Sequence, residues 1–556
     1  ELSILANSSS GTYFHCVVMT FCPFTISLVF GMILGGLSQL TSRLPSLQQE
    51  NLFVYTDRNI VQVTNMWMYI LLVLIVTIVT LVFQRKMTKF PPGPIGLPLI
   101  GYAPFIDTKR PYKTYYELFK KYGDIVSITV FGQRFILINE FNMLKLTYSR
   151  QSCIDRPDLK SVNRLYDIDI KGVLNASGTQ WSTRRKFLVK YLKSVMDNRL
   201  LEESIQAEVD MLMASWQRVS VSGEPITPSK EIISYVFNVT WRMIFGKRVS
   251  AKSRRIEYFV CNEATEQIHQ INKLFFHGLL PKWLRDRIPL QVFRILRDTK
   301  THLKEILEDE KIEARARLDE GRPPSYFLDY CLTEMQEPST PELDDFSDLD
   351  IQELVVDLLI AGSETSATTV ALSLLYCIKY PEIQETLFQE IRKVTGGEPI
   401  KWDDLAEMHY LRSFTTEILR KTIIVPVGLP RTNNEALIIR GYEIPKNSML
   451  FANHYAIHND PRNWEDFSFN PKRFLNAEGY YESPGQGYLP FSIGKRQCPG
   501  SQVAKLEVFM FLASIIQKFK LTAVDASELN PEPNPGVILQ PPHYKMNVQM
   551  RDTQII

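Results

Sequence analysis

Cys498 is the residue best placed to do chemistry. It sits in Phe491-Ser492-Ile493-Gly494-Lys495-Arg496-Gln497-Cys498-Pro499-Gly500, ahead of apolar positions Leu506, Phe509 and Leu512. Their three-residue spacing predicts a helix starting near Ser501. A cysteine at a helix N-terminus meets the positive end of the macrodipole and unpaired amide donors, and both favour thiolate over thiol. Gly494 permits a turn or bulge that a side chain would obstruct. Arg496 adds a fixed cation two residues away. Such a thiolate can serve as a nucleophile, a redox thiol or a metal ligand, and this stretch alone leaves the three open.

Four further groupings carry polar chemistry, three of them in helical patterns. The longest helical pattern runs from Ser347-Asp348 to Tyr380, just before Pro381, and would be roughly 50 Å long. Inside it lies Ala361-Gly362-Ser363-Glu364-Thr365-Ser366. A mid-helix glycine costs about 1 kcal/mol against alanine, so close packing or function must gain from it. Trp181 and Arg185 lie one turn apart, and an indole donor with a guanidinium suits a carboxylate or phosphate. Otherwise they belong to a solvated basic face. Glu417 and Arg420 form an i, i+3 pair, and Pro471-Lys472-Arg473-Phe474 supplies another arginine in a loop. His454 and His458 lack an H-E-x-x-H context and read as loop histidines, not zinc ligands.

The elements that must position these residues form one large domain behind an anchor. With 45% hydrophobic and 22% charged residues, the 556-residue chain has material for a large core. A formal net charge of +2 gives no bulk case for nucleic acid. Seven scattered cysteines without C-x-x-C spacing argue against a disulfide scaffold or zinc ribbon, and for a reducing compartment. Residues 66–83 carry no charge and are long enough to cross a bilayer. Arg85, Lys86 and Lys89 follow, placing what comes after on the cytosolic side. Within the extension 1–65, the uncharged segment 13–40 is a second candidate span, weakened by Pro23, Gly31, Gly35 and Gly36. Glycan occupancy at the Asn7-Ser8-Ser9 sequon separates one span from two. The basic, proline-rich stretch 84–101 reads as a stiff hinge, and residues 102–556 as the catalytic domain. Residues 125–130 and 134–138 predict a small sheet. Residues 165–394 are mostly helical in pattern, and residues 337–350 read as a surface loop.

Taken together and in order, these groupings resemble the cytochrome P450 family of haem-thiolate monooxygenases, from Pro91 to about Met550. Phe491, Gly494, Arg496, Cys498 and Gly500 meet its F-x-x-G-x-R-x-C-x-G signature. Ala361, Gly362, Glu364, Thr365 and Ser366 match its [AG]-G-x-[DE]-T-[ST] helix motif. Glu417 and Arg420 match E-x-x-R, Trp181 and Arg185 match W-x-x-x-R, and Pro471, Arg473 and Phe474 match P-x-R-F. The anchor and proline hinge are similar to the microsomal branch, and the texture to the steroid- and drug-oxidising animal clan. Ser501 departs from the longer polar residue, usually glutamate, that relatives carry there.

The resemblance implies a mainly α fold with small β-sheets, preceded by one or more N-terminal transmembrane segments. It implies haem b with Cys498 as the axial thiolate, which donates electron density favouring O–O cleavage. Phe491 would cover the sulfur and Gly494 would leave room beside the porphyrin. Trp181, Arg185, Arg431 and Arg496 would hold the propionates. Glu417, Arg420 and Arg473 would form a buried structural triad. Gly362 would open the helix for dioxygen, with Thr365 and Glu364 serving oxygen activation and proton relay. Electrons would come from NADPH through cytochrome P450 reductase, with cytochrome b5 as a further partner, at a patch including Arg184, Lys186, Lys190, Lys193 and Lys495. The setting implied is the endoplasmic reticulum membrane, cytosolic face. By family position the substrate contacts fall in 162–174, 237–280, 358–365, 424–429 and 537–539. Their apolar character predicts a lipophilic substrate: steroid, terpenoid hormone, fatty acid or xenobiotic. The alternatives are a haem-thiolate ligand sensor without turnover and an isomerase that does not use dioxygen. The pair Glu364-Thr365 argues against the sensor.

Overall fold

The computed structural model describes residues 89–157, 172–249 and 291–551, with positions 68, 69, 72, 76, 277, 280 and 287. Its contacts divide the chain into Glu1–Gln84 and Arg85–Ile556. The four described positions of the first unit are helical. The rest of the candidate span 66–83, the segment 13–40 and the Asn7 sequon lie outside the described residues. So do most of the expected substrate segments 162–174 and 237–280.

From residue 89 to residue 96 the larger unit forms no helix or strand, because its prolines offer no amide donors. The segment is nevertheless seated on the unit. Pro91 O and Pro92 O accept the hydroxyl and N–H of Ser127, each at 2.8 Å, and Lys89 O accepts the Glu443 N–H at 2.7 Å. A side chain at Gly93 would meet Ser127 O at 1.9 Å. The expected hinge is therefore, from Lys89 to Gly93, a docked strip.

The elements follow in order. Helix α1 (Pro111–Tyr122) precedes strands β1 (Ile125–Val130) and β2 (Gln133–Ile138). Helices α2 (Phe141–Tyr148), α3 (Gly178–Asp197), α4 (Leu200–Ser222), α5 (Pro228–Phe245) and α6 (Gln291–Asp319) come next. Then come α7 (Phe327–Gln336), α8 (Asp348–Lys379), α9 (Pro381–Thr395) and α10 (His409–Thr422). Strands β3 (Arg431–Thr432), β4 (Leu437–Ile439), β5 (Tyr442–Ile444) and β6 (Met449–Ala452) lead to α11 (His454–His458). The chain closes with α12 (Ser501–Lys518), β7 (Phe519–Ala523) and β8 (Met546–Met550). The fold is mainly helical with small sheets.

The main sheet has the order β1-β2-β6-β3, antiparallel except where β2 and β6 run parallel with Phe135 opposite Met449. Alternate residues feed two cores. Ile136, Ile138, Leu450 and Ala452 enter one, while Val126, Ile128, Phe135 and Phe451 enter the other. Burial on both faces explains why these strands read as almost unbroken apolar runs.

Helix α8 is the spine of the helical layer and packs against α5, α10 and α12. Ser347 and Asp350 form a capping box at its start, and α9 begins at Pro381 directly after its end. It is apolar around most of its circumference because neighbours surround it. Among the described residues it alone is long and apolar enough to cross a membrane, yet it is mostly buried within the protein. The predicted loop 337–350 contains a short helical turn at Pro341–Leu343 and the first residues of α8.

Candidate active site

The cysteine loop is held by its own backbone. Cys498 N–H donates to Phe491 O at 3.0 Å and Gln497 N–H to Gly494 O at 3.0 Å. Gly494 has φ +76, and a Cβ there would lie 2.4 Å from Tyr148 O. Both facts require glycine. The room that Gly494 provides is thus for the end of α2. Helix α12 begins at Ser501 with Gly500 as its cap and no side-chain capping bond.

The Cys498 side chain is exposed on one side and crowded by protein on the others. Desolvation raises its thiol pKa, outweighing the Gly500 N–H and the Arg185 guanidinium, which pull it down. The amide donor and the cation expected to favour the thiolate thus act here against desolvation. A terminus contributes about 0.3–1 kcal/mol, and a directly bonded cation would favour the thiolate further.

Arg185 and Arg431 bond this loop, Arg496 belongs to it, and Arg156 acts on Arg496 electrostatically. Arg185 donates to Gln497 O at 2.7 Å, and Arg431 to Ile493 O at 3.0 Å. Arg496 donates to Ile154 O (2.8 Å), Val173 O (3.0 Å) and Ala176 O, and stacks 4.1 Å over the Trp181 ring. Arg156 donates to Leu174 O, Leu429 O and Pro430 O at 2.8–2.9 Å. Among the described residues, none of the four is salt-bridged to a carboxylate. Burial, then the repulsion of Arg431, lowers Arg156 to about 10. Burial, then Arg156 and Arg431, lowers Arg496 to about 8. Trp181 Nε1 and Arg431 Nη1 are buried with no hydrogen-bond partner. Concentrated positive charge with orphaned donors is the signature of an anion site.

Asp357 organises the acceptors of this cluster from α8. It accepts the Leu174 N–H at 2.9 Å, and a Cβ on Gly172 would meet its Oδ2 at 2.1 Å. The turn 172–176 is thereby held with its carbonyls on Arg156 and Arg496. Burial raises the Asp357 carboxyl to about 7.

The polar run of α8 is satisfied mostly within the helix. The hydroxyls of Thr365, Thr369 and Ser373 donate to the carbonyls four residues back, at 2.7–2.8 Å. Helix α8 is continuous across Gly362 in this structure. The glycine's missing side chain admits α5, since a Cβ would lie 3.0 Å from Thr240 Oγ1. Glu364 is buried, raised by desolvation to about 7, and accepts a 2.6 Å bond from Gln540 Nε2. Ser366 donates at 2.5 Å to Glu507 of α12, a fully buried carboxyl raised to about 8.

On α10, Glu417 receives Arg420 through two bonds of 2.6 and 2.8 Å and Arg473 at 3.2 Å. The Asn470 N–H adds a further donor at 3.0 Å. His454 and His458 lie on α11, not in a loop. Burial lowers them to about 4 and about 3, and their Nδ1 atoms meet Val425 O and Arg420 O. Arg184 is buried and paired with Asp350, so it leaves the expected cationic patch. Lys186, Lys190, Lys193 and Lys495 are exposed.

The Cytochrome P450 family profile matches residues 91–548. The chain belongs to the cytochrome P450 family. It is 28% identical over 481 residues to Cytochrome P450 2L1 of Panulirus argus, covering 84% of this chain and 96% of that protein. It is 28% identical over 507 residues to Cytochrome P450 2B19 of Mus musculus, covering 87% and 99%. With Cytochrome P450 2D28 of Mesocricetus auratus it shares 27% over 483 residues, covering 83% and 93%. This P450 is a haem-thiolate monooxygenase, an oxidoreductase. The residues present fit haem: two propionates match the uncompensated guanidiniums and the orphaned Trp181 and Arg431 donors.

Sequence reasoning missed Arg156, Asp357, Glu507 and Gln540. Asp357 and Glu507 did carry a signal, since each is a lone carboxylate inside an apolar helical run. Arg156 and Gln540 join the site only through the fold.

Proposed function

We propose that this P450 is a membrane-anchored monooxygenase that oxidises a lipophilic substrate at a haem held by Cys498. Substrate, dioxygen, NADPH and one proton give hydroxylated substrate, water and NADP+. The observation that supports this most directly is the cluster of Arg156, Arg185, Arg431 and Arg496. Its charge has no carboxylate partner among the described residues, and it faces the Cys498 loop.

When bound, haem supplies the oxygen-activating redox chemistry, tuned by the thiolate. Everything else falls to the chain. Trp181, Arg185, Arg431 and Arg496, joined by Arg156, orient the group by its carboxylates. Phe491 limits water at the sulfur. Thr365 presents its hydroxyl from α8, and Glu364, poised near neutrality, passes protons inward. Gly362 serves by letting α5 close against α8. The triad Glu417, Arg420 and Arg473 holds the frame.

Residues 66–83 anchor the chain in the endoplasmic reticulum membrane with the larger unit cytosolic. Electrons come from NADPH through cytochrome P450 reductase, with cytochrome b5 a second donor, at a face bearing Lys186, Lys190, Lys193 and Lys495. The substrate is a steroid, terpenoid hormone, fatty acid or xenobiotic, and a spectral-shift and turnover panel of these classes identifies it. The deciding test is the reduced protein with carbon monoxide. The wild type is expected to show the long-wavelength Soret band of thiolate ligation and Cys498→Ser to lose it. An unchanged band in the variant would falsify the assignment.

A further inference from the structure

Gln540 lies far from every motif in the sequence yet reaches the centre of α8. Its Nε2 donates to Glu364 Oε1 at 2.6 Å, and its Oε1 accepts from Thr368 Oγ1 at 3.3 Å. Thr368 stands one turn beyond Glu364 and thereby orients the amide, keeping the N–H side on the carboxylate. The glutamine itself is fixed. Its backbone N–H donates to Asn534 O at 3.1 Å and its carbonyl accepts the Asn534 N–H at 2.8 Å. Next to it, Leu539 N–H donates to Ile424 O at 2.7 Å, tying the loop to the segment after α10. An amide held this firmly is a preorganised donor, not a wandering surface side chain.

We infer that Gln540 is a positioning residue for proton delivery, which selects the Glu364 rotamer and stabilises its ionised form. This rests on the reading of Glu364 as the proton-passing acid. A donor to a carboxylate favours the charged state, opposing the desolvation that dominates at Glu364. From the neighbouring elements, Glu507 of α12 bonds Ser366 and Asp357 bonds Leu174, and desolvation raises the Glu364 carboxyl. Gln540 therefore sets how readily Glu364 releases a proton at neutral pH.

The test compares full-length holoenzyme with Gln540→Met, which keeps length and removes the donor, and with Glu364→Gln and the double variant. The protonated Glu364 carboxyl is followed by infrared difference spectroscopy, the band being assigned by its loss in Glu364→Gln. Gln540→Met is expected to raise the titration midpoint by about one unit, the size set by one hydrogen bond to a charged group. It is also expected to divert NADPH from product to hydrogen peroxide, with no further diversion when added to Glu364→Gln. Unchanged titration in Gln540→Met, or fully additive uncoupling in the double variant, overturns the inference. Failure of the underlying reading looks different: the wild type itself then lacks the thiolate band with carbon monoxide, or Glu364→Gln leaves coupling intact.

Discussion

Two groups of arginines in the larger unit differ in one respect. Arg420 and Arg473 converge on Glu417, and further charge-dipole bonds come from the Ser468 carbonyl and the Asn470 N–H. Arg156, Arg185, Arg431 and Arg496 converge on one another. With Asp466 3.7 Å from Arg473, the first group balances its two cations with two carboxylates; the second is left positive, with Trp181 Nε1 and Arg431 Nη1 unbonded. Buried charge that is compensated in place serves the fold, while buried charge left open is waiting for a ligand. The same contrast exists among the acids. Asp350 caps α8 and pairs with Arg184, whereas Glu364 is buried with a bond from the neutral Gln540 amide and Glu507 with one from the neutral Ser366 hydroxyl.

The largest effect should come from breaking the compensated group. Glu417→Ala leaves Arg420 buried against Trp464 with no carboxylate. The expected loss is about 3–5 kcal/mol, measured by denaturant unfolding of the haem-free protein. A loss below about 1 kcal/mol, the range of exposed pairs, would show that the triad is not structural.

The open acids give the next largest effect, through pH. The folded Glu507 carboxyl is raised to about 8 from 4.5, so the folded state keeps a proton that the unfolded chain releases. Its contribution is fully present below the unfolded value and is lost as pH rises through the folded one. Asp357 and Glu364, each raised to about 7, act with the same sign. Stability should therefore fall as pH rises between about 5 and 8, and Glu507→Gln should flatten that slope by up to about 1.4 kcal/mol per pH unit. An unaltered slope in unfolding titrations would place the titrating group elsewhere.

What the sequence made legible follows the same division. The cysteine loop, the Glu417–Arg420 turn and the Trp181–Arg185 face are local in the chain, so spacing alone carries them. Helix α8 and strands β1 and β2 were readable because caps and apolar period agree there. Arg184 was misplaced although its periodicity was available: Trp181, Leu188 and Tyr191 share its buried face at three- and four-residue steps. Arg156 and Gln540 had no such signal. Each enters the site from a separate loop, and only packing decides whether a lone arginine or glutamine meets carbonyls, a carboxylate or water. At Cys498 the helix terminus was legible because it is local, whereas desolvation arises only in the fold.

Opening the uncompensated group should cost the fold far less than breaking the triad. Arg431→Gln removes one bond to Ile493 O and a stacking contact 3.4 Å from the Tyr148 ring. It also relieves repulsion on Arg156 and Arg496. These terms oppose, so the haem-free protein should change by no more than about 1 kcal/mol. The loaded protein should lose haem faster to an acceptor protein, because an ion pair made only with the ligand has gone. Equal destabilisation of both forms would make Arg431 a second structural arginine and erase the contrast with the triad.

The smallest structural effect belongs to cations that water already compensates. Lys186, Lys190 and Lys193 project from one stretch of α3 with their side chains exposed. Charge reversal to glutamate at these sites should alter unfolding stability by about 0.5 kcal/mol or less per site, the usual range for exposed positions. A docking role with an acidic reductase predicts a different readout. KM for the reductase rises, most at low ionic strength, and the difference closes as salt screens charges beyond about 10 Å. Coupling of NADPH to product stays constant, because neither Glu364 nor the arginine cluster is touched. A salt-independent change in KM would mean that α3 meets its partner through shape, and that open charge marks function in this protein only where it is buried.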